Sequence, residues 1–280
     1  MILMEAAGRP GKNDAKSKRR LDVWLVEHGF AESREKAQAL ILAGRVLARG
    51  VKRIKPGTPV RDDVVIDVIE GPDHVSRGAI KLEAALEAFG VDPRDRIAVD
   101  VGASTGGFTE ALLRAGAGRV YAVDVGRGQL HERLRHDPRV IVREGVNARH
   151  LSAEIVPEPC SLAVVDVSFI SVLKILPAVV PLLRENADVI VLVKPQFELE
   201  RGLVGRGGIV SDPEKHARAL RRVARFANDD PRISVRAARA SPITGAAGNR
   251  EFFLHVRRRG GERLPESELE AMIAATVRPA

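Results

Sequence analysis

The sequence predicts a doubly wound α/β domain preceded by a small α+β domain. Three observations carry this prediction. Short β-branched apolar runs alternate with helical segments from residue 97 onward, and several of them end in an acid or a lysine at a turn. Positive charge is concentrated before residue 63. Apolar runs of this kind read as strands of a parallel sheet covered on both faces, and ligands in such sheets sit at the carboxyl ends of the strands. A chain of 280 residues is long enough for one full α/β core and a satellite domain.

Residues 1–18 are expected to form a disordered tail, because the Gly, Pro, Lys, Asn and Ser there offer little to bury. Residues 21–28 and 33–43 read as two short amphipathic helices. Ser33 caps the second, Leu40 and Ile41 turn inward, and Gly44 stops it. Residues 45–55 set a turn glycine, Gly50, between strand-like pieces, and Pro56-Gly57 precedes a strand over 64–69. The breakers Gly71-Pro72-Asp73-His74 mark a linker over 71–75, between a first domain over 19–70 and a second over 76–280. A helix from Ser76 opens the second domain. Strands follow at 97–101, 120–125, 140–143, 162–167, 189–193, 233–238 and 252–256, and a helix over 266–276 closes it.

The net charge of +8 is unevenly placed: residues 1–62 hold 14 Lys and Arg against 7 Asp and Glu, so the rest is nearly neutral. A basic module beside a neutral one points to a polyanionic partner, above all nucleic acid. With one Trp and one Tyr, base-stacking platforms are few, which favours folded RNA over threaded single strands. The lone Cys160 excludes a disulfide framework and a cysteine zinc site, and it is expected to be a buried small residue; no metal is expected. No apolar stretch is long enough to span a bilayer, and the charged first 20 residues do not read as a signal peptide. A cytoplasmic monomer without a membrane partner is the expectation.

Residues 97–108 read Ile-Ala-Val-Asp-Val-Gly-Ala-Ser-Thr-Gly-Gly-Phe, a strand breaking into a glycine-rich turn. Gly102, four residues and Gly107 nearly make a phosphate-binding P-loop, but Phe108 stands where its lysine belongs. A dinucleotide loop would need glycine at Ser104. A nucleoside cofactor without phosphates fits better, and S-adenosylmethionine is one; an ordinary strand-turn-helix with packing glycines is the alternative. Asp124 favours the cofactor, because it ends the next strand roughly 20 residues on, where a carboxylate accepts ribose hydroxyls. The candidate cofactor residues are Asp100, Gly102, Ala103, Ser104, Thr105, Gly106, Gly107, Phe108 and Asp124.

Asp166 and Lys194 end the fourth and fifth strands, which puts both on one rim of the sheet, over the cofactor. A lysine closing an apolar strand is costly unless paired; beside Asp166 its charge is restored, and substrate that displaces that balance makes it a base. A structural ion pair is the alternative.

Ser33-Arg34-Glu35-Lys36-Ala37, the helix to Gly44, Arg45-Val46 and Gly50 resemble the S4-like RNA-binding module over residues 19–69. The resemblance implies that Arg19, Arg20, Arg34, Lys36, Arg45, Lys52 and Arg53 face RNA phosphates, contacts that position a partner without reading its sequence. From residue 19 onward the chain resembles the TlyA family of S-adenosylmethionine-dependent ribosomal RNA 2′-O-ribose methyltransferases, some of which carry the name haemolysin. The motifs are Ser76-Arg-Gly-Ala-Ile-Lys-Leu, Asp100-Val-Gly-Ala-Ser-Thr-Gly-Gly-Phe-Thr, Asp124-Val-Gly-Arg-Gly-Gln-Leu, Asp166-Val-Ser-Phe-Ile-Ser, Val193-Lys-Pro-Gln-Phe-Glu and Gly248-Asn-Arg-Glu-Phe-Phe. The resemblance implies a Rossmann-like catalytic domain of the FtsJ type and a Lys-Asp-Lys-Glu tetrad at Lys81, Asp166, Lys194 and Glu251. It further implies in-line methyl transfer to a ribose 2′-hydroxyl, with Lys194 assisting deprotonation, Asp166 and Glu251 orienting the lysines, and Lys81 positioning the nucleotide. Asn147 falls near the adenine, although a turn asparagine is an equal alternative. The implied partner is ribosomal RNA or a ribosomal subunit, with cytidines of 16S and/or 23S RNA as targets. Two other readings stand beside it: a non-catalytic RNA-binding assembly factor, against which the intact tetrad argues, and a membrane-lytic haemolysin, against which the lack of an apolar span argues.

Overall fold

The chain divides into two units, Met1–Arg77 and Gly78–Ala280, in a computed structural model that describes residues 3–5, 18–42, 46–48, 54–69, 74–245, 247–258 and 263–278. The first unit contains β1 (Leu3–Glu5), β2 (Lys18–Arg20), α1 (Leu21–Glu27), α2 (Arg34–Leu42), β3 (Val46–Ala48), β4 (Pro59–Arg61) and β5 (Ile66–Ile69). Its core is Leu21, Trp24 and Leu25 of α1 against Ala37 and Ile41 of α2, closed by Val46, Val60 and Ile66. Strands β1 and β3 pair antiparallel to the two sides of β5, and β2 pairs antiparallel with β4.

The tail expected to be disordered over 1–18 is structured at its described residues. Leu3–Glu5 pairs with Asp67–Ile69 of β5, and Lys18 begins β2. Leu3 and Met4 are the apolar residues that the bulk composition of the tail conceals, and β5 offers them a free edge of backbone donors and acceptors. Residues 6–17 lie outside the described residues, as do Gly44, Gly50 and residues 71–73 of the expected linker.

Asp22 organises the first turn of α1. Its buried carboxylate accepts Arg20 Nε (3.0 Å) and Nη2 (2.9 Å), Gln38 Nε2 (2.9 Å), the Val23 amide (3.0 Å) and Arg34 Nη2 (3.3 Å). The Arg20 guanidinium foremost, with Gln38 and Arg34, holds this carboxyl well below the usual carboxylate range against the opposing effect of burial.

The second unit contains α3 (Arg77–Phe89), β6 (Ile97–Val101), α4 (Gly107–Arg114), β7 (Arg119–Asp124), α5 (Glu132–Arg135), β8 (Val140–Glu144), β9 (Cys160–Val165), α6 (Leu176–Val179), β10 (Leu183–Val193), α7 (Pro195–Glu198), α8 (Pro213–Asp229), β11 (Ile233–Ala240), β12 (Phe252–Arg258) and α9 (Glu266–Val277). The sheet order is β11-β12-β10-β9-β6-β7-β8. Every residue of β9 is buried, as a central strand covered on both faces requires. Cys160 is buried there as expected, and burial pushes its thiol up to about 12.

The order reverses between β6 and β9: β7 and β8 follow β6 on one side, and the chain then crosses to β9 on the other. Such a switch point opens a crevice above the strand ends. One expectation needs correction, since the sheet is not wholly parallel: β12 runs antiparallel to both β10 and β11. Alternation and apolarity mark a strand but carry no sign of its direction. The consequence is functional, because the start of β12 rather than its end lies beside the end of β10, with Val193 opposite Phe252.

Removing the Asp22 carboxylate by Asp22→Ala takes away charge-assisted hydrogen bonds at a buried position, at an expected cost of about 2 kcal/mol to the first unit. Trp24, the one tryptophan of the chain, is buried in this unit, so denaturant unfolding followed by its fluorescence reports this unit. In the parent protein the depressed carboxyl contributes stability at neutral pH that is lost as pH falls below the ordinary value of 3.8. The same titration in Asp22→Ala is expected to be flatter through that acid limb.

Candidate active site

The crevice between β6 and β9 is a cavity of about 490 Å³, a size that suits a nucleoside-sized ligand. Its floor exists because residue 102 is glycine. Gly102 has φ +90°, and a Cβ there would collide with the carbonyl oxygen of Asp166, which leaves the neighbouring strand. The Gly102 and Ala103 amides both donate to the Val123 carbonyl (2.8 and 3.1 Å), so the loop is sewn to the end of β7. Asp124 ends that strand and accepts the Ser104 amide (2.8 Å) on one oxygen and the Gly126 amide (2.7 Å) on the other. Ser104 adopts φ +48°, and its hydroxyl donates to Gln129 Oε1 (3.3 Å).

Of the predicted cofactor residues, Gly102, Ser104, Asp124 and Asn147 line the cavity, together with Asp166 of the tetrad. Asn147 borders the cavity, and its Oδ1 caps the turn at residues 148–150 by accepting the Arg149 amide (3.1 Å). Asp100, Ala103, Thr105, Gly106 and Gly107 stand beside these residues without lining the cavity. Gly106 takes φ +100° where a Cβ would meet Leu134 and Leu130, and the Thr105 carbonyl accepts the His131 amide. Phe108 is a correction: it is buried in α4 with its ring 6.2 Å from that of Phe253, and it does not line the cavity. The second residue of α4 turns its side chain into the sheet, so its part in the motif is packing.

Asp100 is wholly buried, accepts the Thr109 hydroxyl (2.6 Å) on Oδ2 and has no hydrogen-bond partner on Oδ1 among the described residues. Burial pushes this carboxyl up to about 7, with Asp166 and Asp124 adding repulsion. Two acids, Asp124 and Asp166, therefore line the crevice with Asp100 buried nearby, Arg149 lines it as well, and Phe108 stands where a P-loop has its lysine. That donor set fits S-adenosylmethionine, whose sulfonium and ammonium are positive and whose ribose offers two hydroxyls.

The predicted tetrad forms two lysine–carboxylate pairs at the same rim. Lys194 Nζ lies 2.5 Å from Asp166 Oδ1 and donates to Ser168 Oγ (2.8 Å). Lys81 Nζ, from α3, donates to Glu251 Oε2 (2.6 Å), and both are buried. Lys194 and Glu251 follow and precede the last registered pair of β10 and β12, which brings them to one edge. Gly245 leaves room for Glu251, since a Cβ there would strike Oε1.

The sequence reading missed three features. Phe169 is 91% exposed with φ +65°, lines the cavity and touches Phe197 at 5.2 Å between ring centres. Buried Glu198 accepts the Ser171 hydroxyl (2.5 Å) and the Val172 amide (2.9 Å), clasping the loop after β9 to α7. Asn249 accepts the Val210 amide and donates to the Gly208 carbonyl, both at 2.8 Å, which anchors the loop before Glu251. Ser168, Phe169, Glu198 and Asn249 all stand inside motifs quoted above, so the signal was present without a role attached.

Of the predicted RNA contacts, Arg19 pairs with Glu27 (2.6 Å) and Asp62 (3.5 Å), Arg20 and Arg34 hold Asp22, and Lys36 is exposed. Arg45, Lys52 and Arg53 lie outside the described residues.

Residues 74–258 match the FtsJ-like methyltransferase family, and residues 19–66 match the S4 domain. The chain is 46% identical over 260 residues to the 16S/23S rRNA (cytidine-2′-O)-methyltransferase TlyA of Mycobacterium tuberculosis, covering 92% of this chain and 97% of that protein. It is 42% identical to Hemolysin A of Brachyspira hyodysenteriae, over 84% of this chain and 98% of the relative. A solved structure of a hemolysin-named protein from Streptococcus thermophilus aligns with a TM-score of 0.71 at 39% identity, covering 93% of this chain and 96% of the other.

Gly102→Ala is expected to weaken S-adenosylmethionine binding at least tenfold in calorimetry, about 1.4 kcal/mol, because the Asp166 carbonyl must retreat and the floor must open. Gly128→Ala, also at positive φ but with open space around its Cβ, is the control for backbone strain alone.

Proposed function

The chain belongs to the TlyA family of FtsJ-like methyltransferases, and from that membership we propose that it methylates ribose 2′-hydroxyls of ribosomal RNA, at cytidines of 16S and/or 23S RNA. The observation that carries the reading is the pair of lysine–carboxylate contacts beside a glycine-floored cavity whose lining includes Asp124 and Asp166. S-Adenosylmethionine, when bound in that cavity, supplies the electrophilic methyl group.

The protein's own residues do the rest. Asp124 accepts the ribose hydroxyls of the cofactor with the lone pairs left free by Ser104 and Gly126, and Asn147 borders the base. Lys194 meets the target 2′-hydroxyl. The Lys194–Asp166 pair would orient that hydroxyl, take its proton as a unit and return it to solvent afterwards. Ser168 fixes the third corner of that arrangement. Lys81, held by Glu251, offsets negative charge on the nucleotide and on the attacking oxygen. Phe169 gives the target base a ring to stack on at the mouth. The basic first unit, with Arg19, Arg20, Arg34 and Lys36 among its cations, docks the RNA through its phosphates. Action as a monomer, in the cytoplasm where ribosomal subunits are met, completes the proposal.

With ribosomal subunits and methyl-labelled cofactor, Lys194→Ala is expected to lower incorporation about a thousandfold while cofactor affinity stays within about twofold. Activity persisting in that variant refutes the role of Lys194. Mapping ribose methylation in both ribosomal RNAs from cells with and without the protein is expected to reveal cytidines that lose their 2′-O-methyl group.

A further inference from the structure

A second cavity, of about 370 Å³, lies where α7 meets α8, and its walls are arginines: Arg218, Arg221, Arg222 and Arg225 of α8 face Glu198, Leu199 and Glu200. The four arginines fall at spacings of 3 and 4 along the helix, so they share one face. Their surroundings divide them. Arg221 and Arg225 are engaged by Glu270 and Glu266 of α9 and tie the two helices together. Arg222 has no carboxylate within ion-pair distance among the described residues, and its guanidinium donates to the Glu198 carbonyl (2.5 Å). Arg218 has only Glu200, at 3.4 Å, and the two side chains are 56% and 75% exposed. An exposed pair at that distance is easily exchanged for a better anion.

The acid that looks most hostile to an anion here has partners of its own. The Glu198 carboxylate accepts the Ser171 hydroxyl and the Val172 amide. Burial raises its pKa, against the opposing effects of Ser171, Val172 and Arg222. The groove is close to the chemistry: Lys194 caps the N-terminus of α7 and Glu198 ends it, a rise of about 6 Å along the helix. The same α7 carries Phe197, which touches Phe169 at the mouth of the cofactor cavity.

We propose that this arginine groove is a phosphate-binding site for the RNA backbone beside the target nucleotide, supplied by the catalytic unit itself. The proposal rests on the RNA-methyltransferase reading above and adds to it a second electrostatic grip, in which Arg218 and Arg222 take a backbone phosphate after Glu200 gives way. The chemistry matches, since a planar guanidinium offers paired donors to phosphate oxygens and a groove of this kind reads no sequence.

The test uses the full chain, a fluorescein-labelled oligoribonucleotide and ribosomal subunits. The double variant Arg218→Ala/Arg222→Ala is expected to raise the KM for subunits about tenfold, to lower the salt slope of oligonucleotide binding by about 1, and to leave cofactor affinity unchanged. Glu200→Gln removes the competing carboxylate and is expected to tighten oligonucleotide binding about twofold, an effect that lost folding does not produce. An unchanged salt slope in the double variant, or weaker binding in Glu200→Gln, overturns the proposal. A raised KM for subunits with unaltered oligonucleotide binding overturns it in favour of an acidic protein partner. Wild-type protein that methylates nothing counts against the parent reading alone, because the oligonucleotide slope scores the groove by itself.

Discussion

The contact between the α-carbon of Gly102 and the carbonyl oxygen of Asp166 is the joint on which the catalytic unit turns. Two loops leave adjacent parallel strands, β6 and β9, at the point where the sheet order reverses, and they touch at a distance no side chain tolerates. The Asp166 amide donates to the Val101 carbonyl (2.9 Å), so the two loops are bound at both ends of one peptide. From this joint the cavity takes its floor, and the carboxylate of Asp166 takes its direction toward Lys194. The cavity floor and the Lys194–Asp166 pair thus meet at a single backbone contact.

Two buried lysines impose a second constraint. Each ammonium loses hydration at the rim, and each recovers it from one carboxylate at 2.5–2.6 Å. A buried pair is poor evidence of stabilisation, because desolvation consumes much of the attraction, and removing one partner leaves an uncompensated charge. The fold accepts this arrangement at two neighbouring places. Around it sit devices that resist collapse of the rim: the Glu198 clasp, the Asn249 staple and the close fit of Gly245 against Glu251.

Much of this was legible before any coordinates. The loop at 97–108, the acid at Asp124 and the strand-end pair Asp166 and Lys194 follow from local pattern and from the rule that α/β ligands sit at carboxyl ends. Phe108 shows where such reading stops. As an absence of lysine it correctly removes phosphate chemistry, but as a contact it fails, because a contiguous motif feeds both the cavity and the core beneath it. Glu251 was recognisable only from its motif, since its partner Lys81 is 170 residues distant and no local periodicity links them. The direction of β12 and the pairing of Leu3–Glu5 with β5 are likewise tertiary facts, set by which edge is free.

The antiparallel course of β12 has a temporal meaning. Because the strand begins at the rim, its first neighbour, Glu251, is the last tetrad member to leave the ribosome, long after Lys81, Asp166 and Lys194 have been made. Contacts of such sequence separation form late, after the chain between them has been closed into a loop. A nascent chain that has passed β10 but has not reached β12 leaves Lys81 without Glu251 and β10 with an open edge. Both lysine–carboxylate pairs are therefore complete only once β12 has joined the sheet.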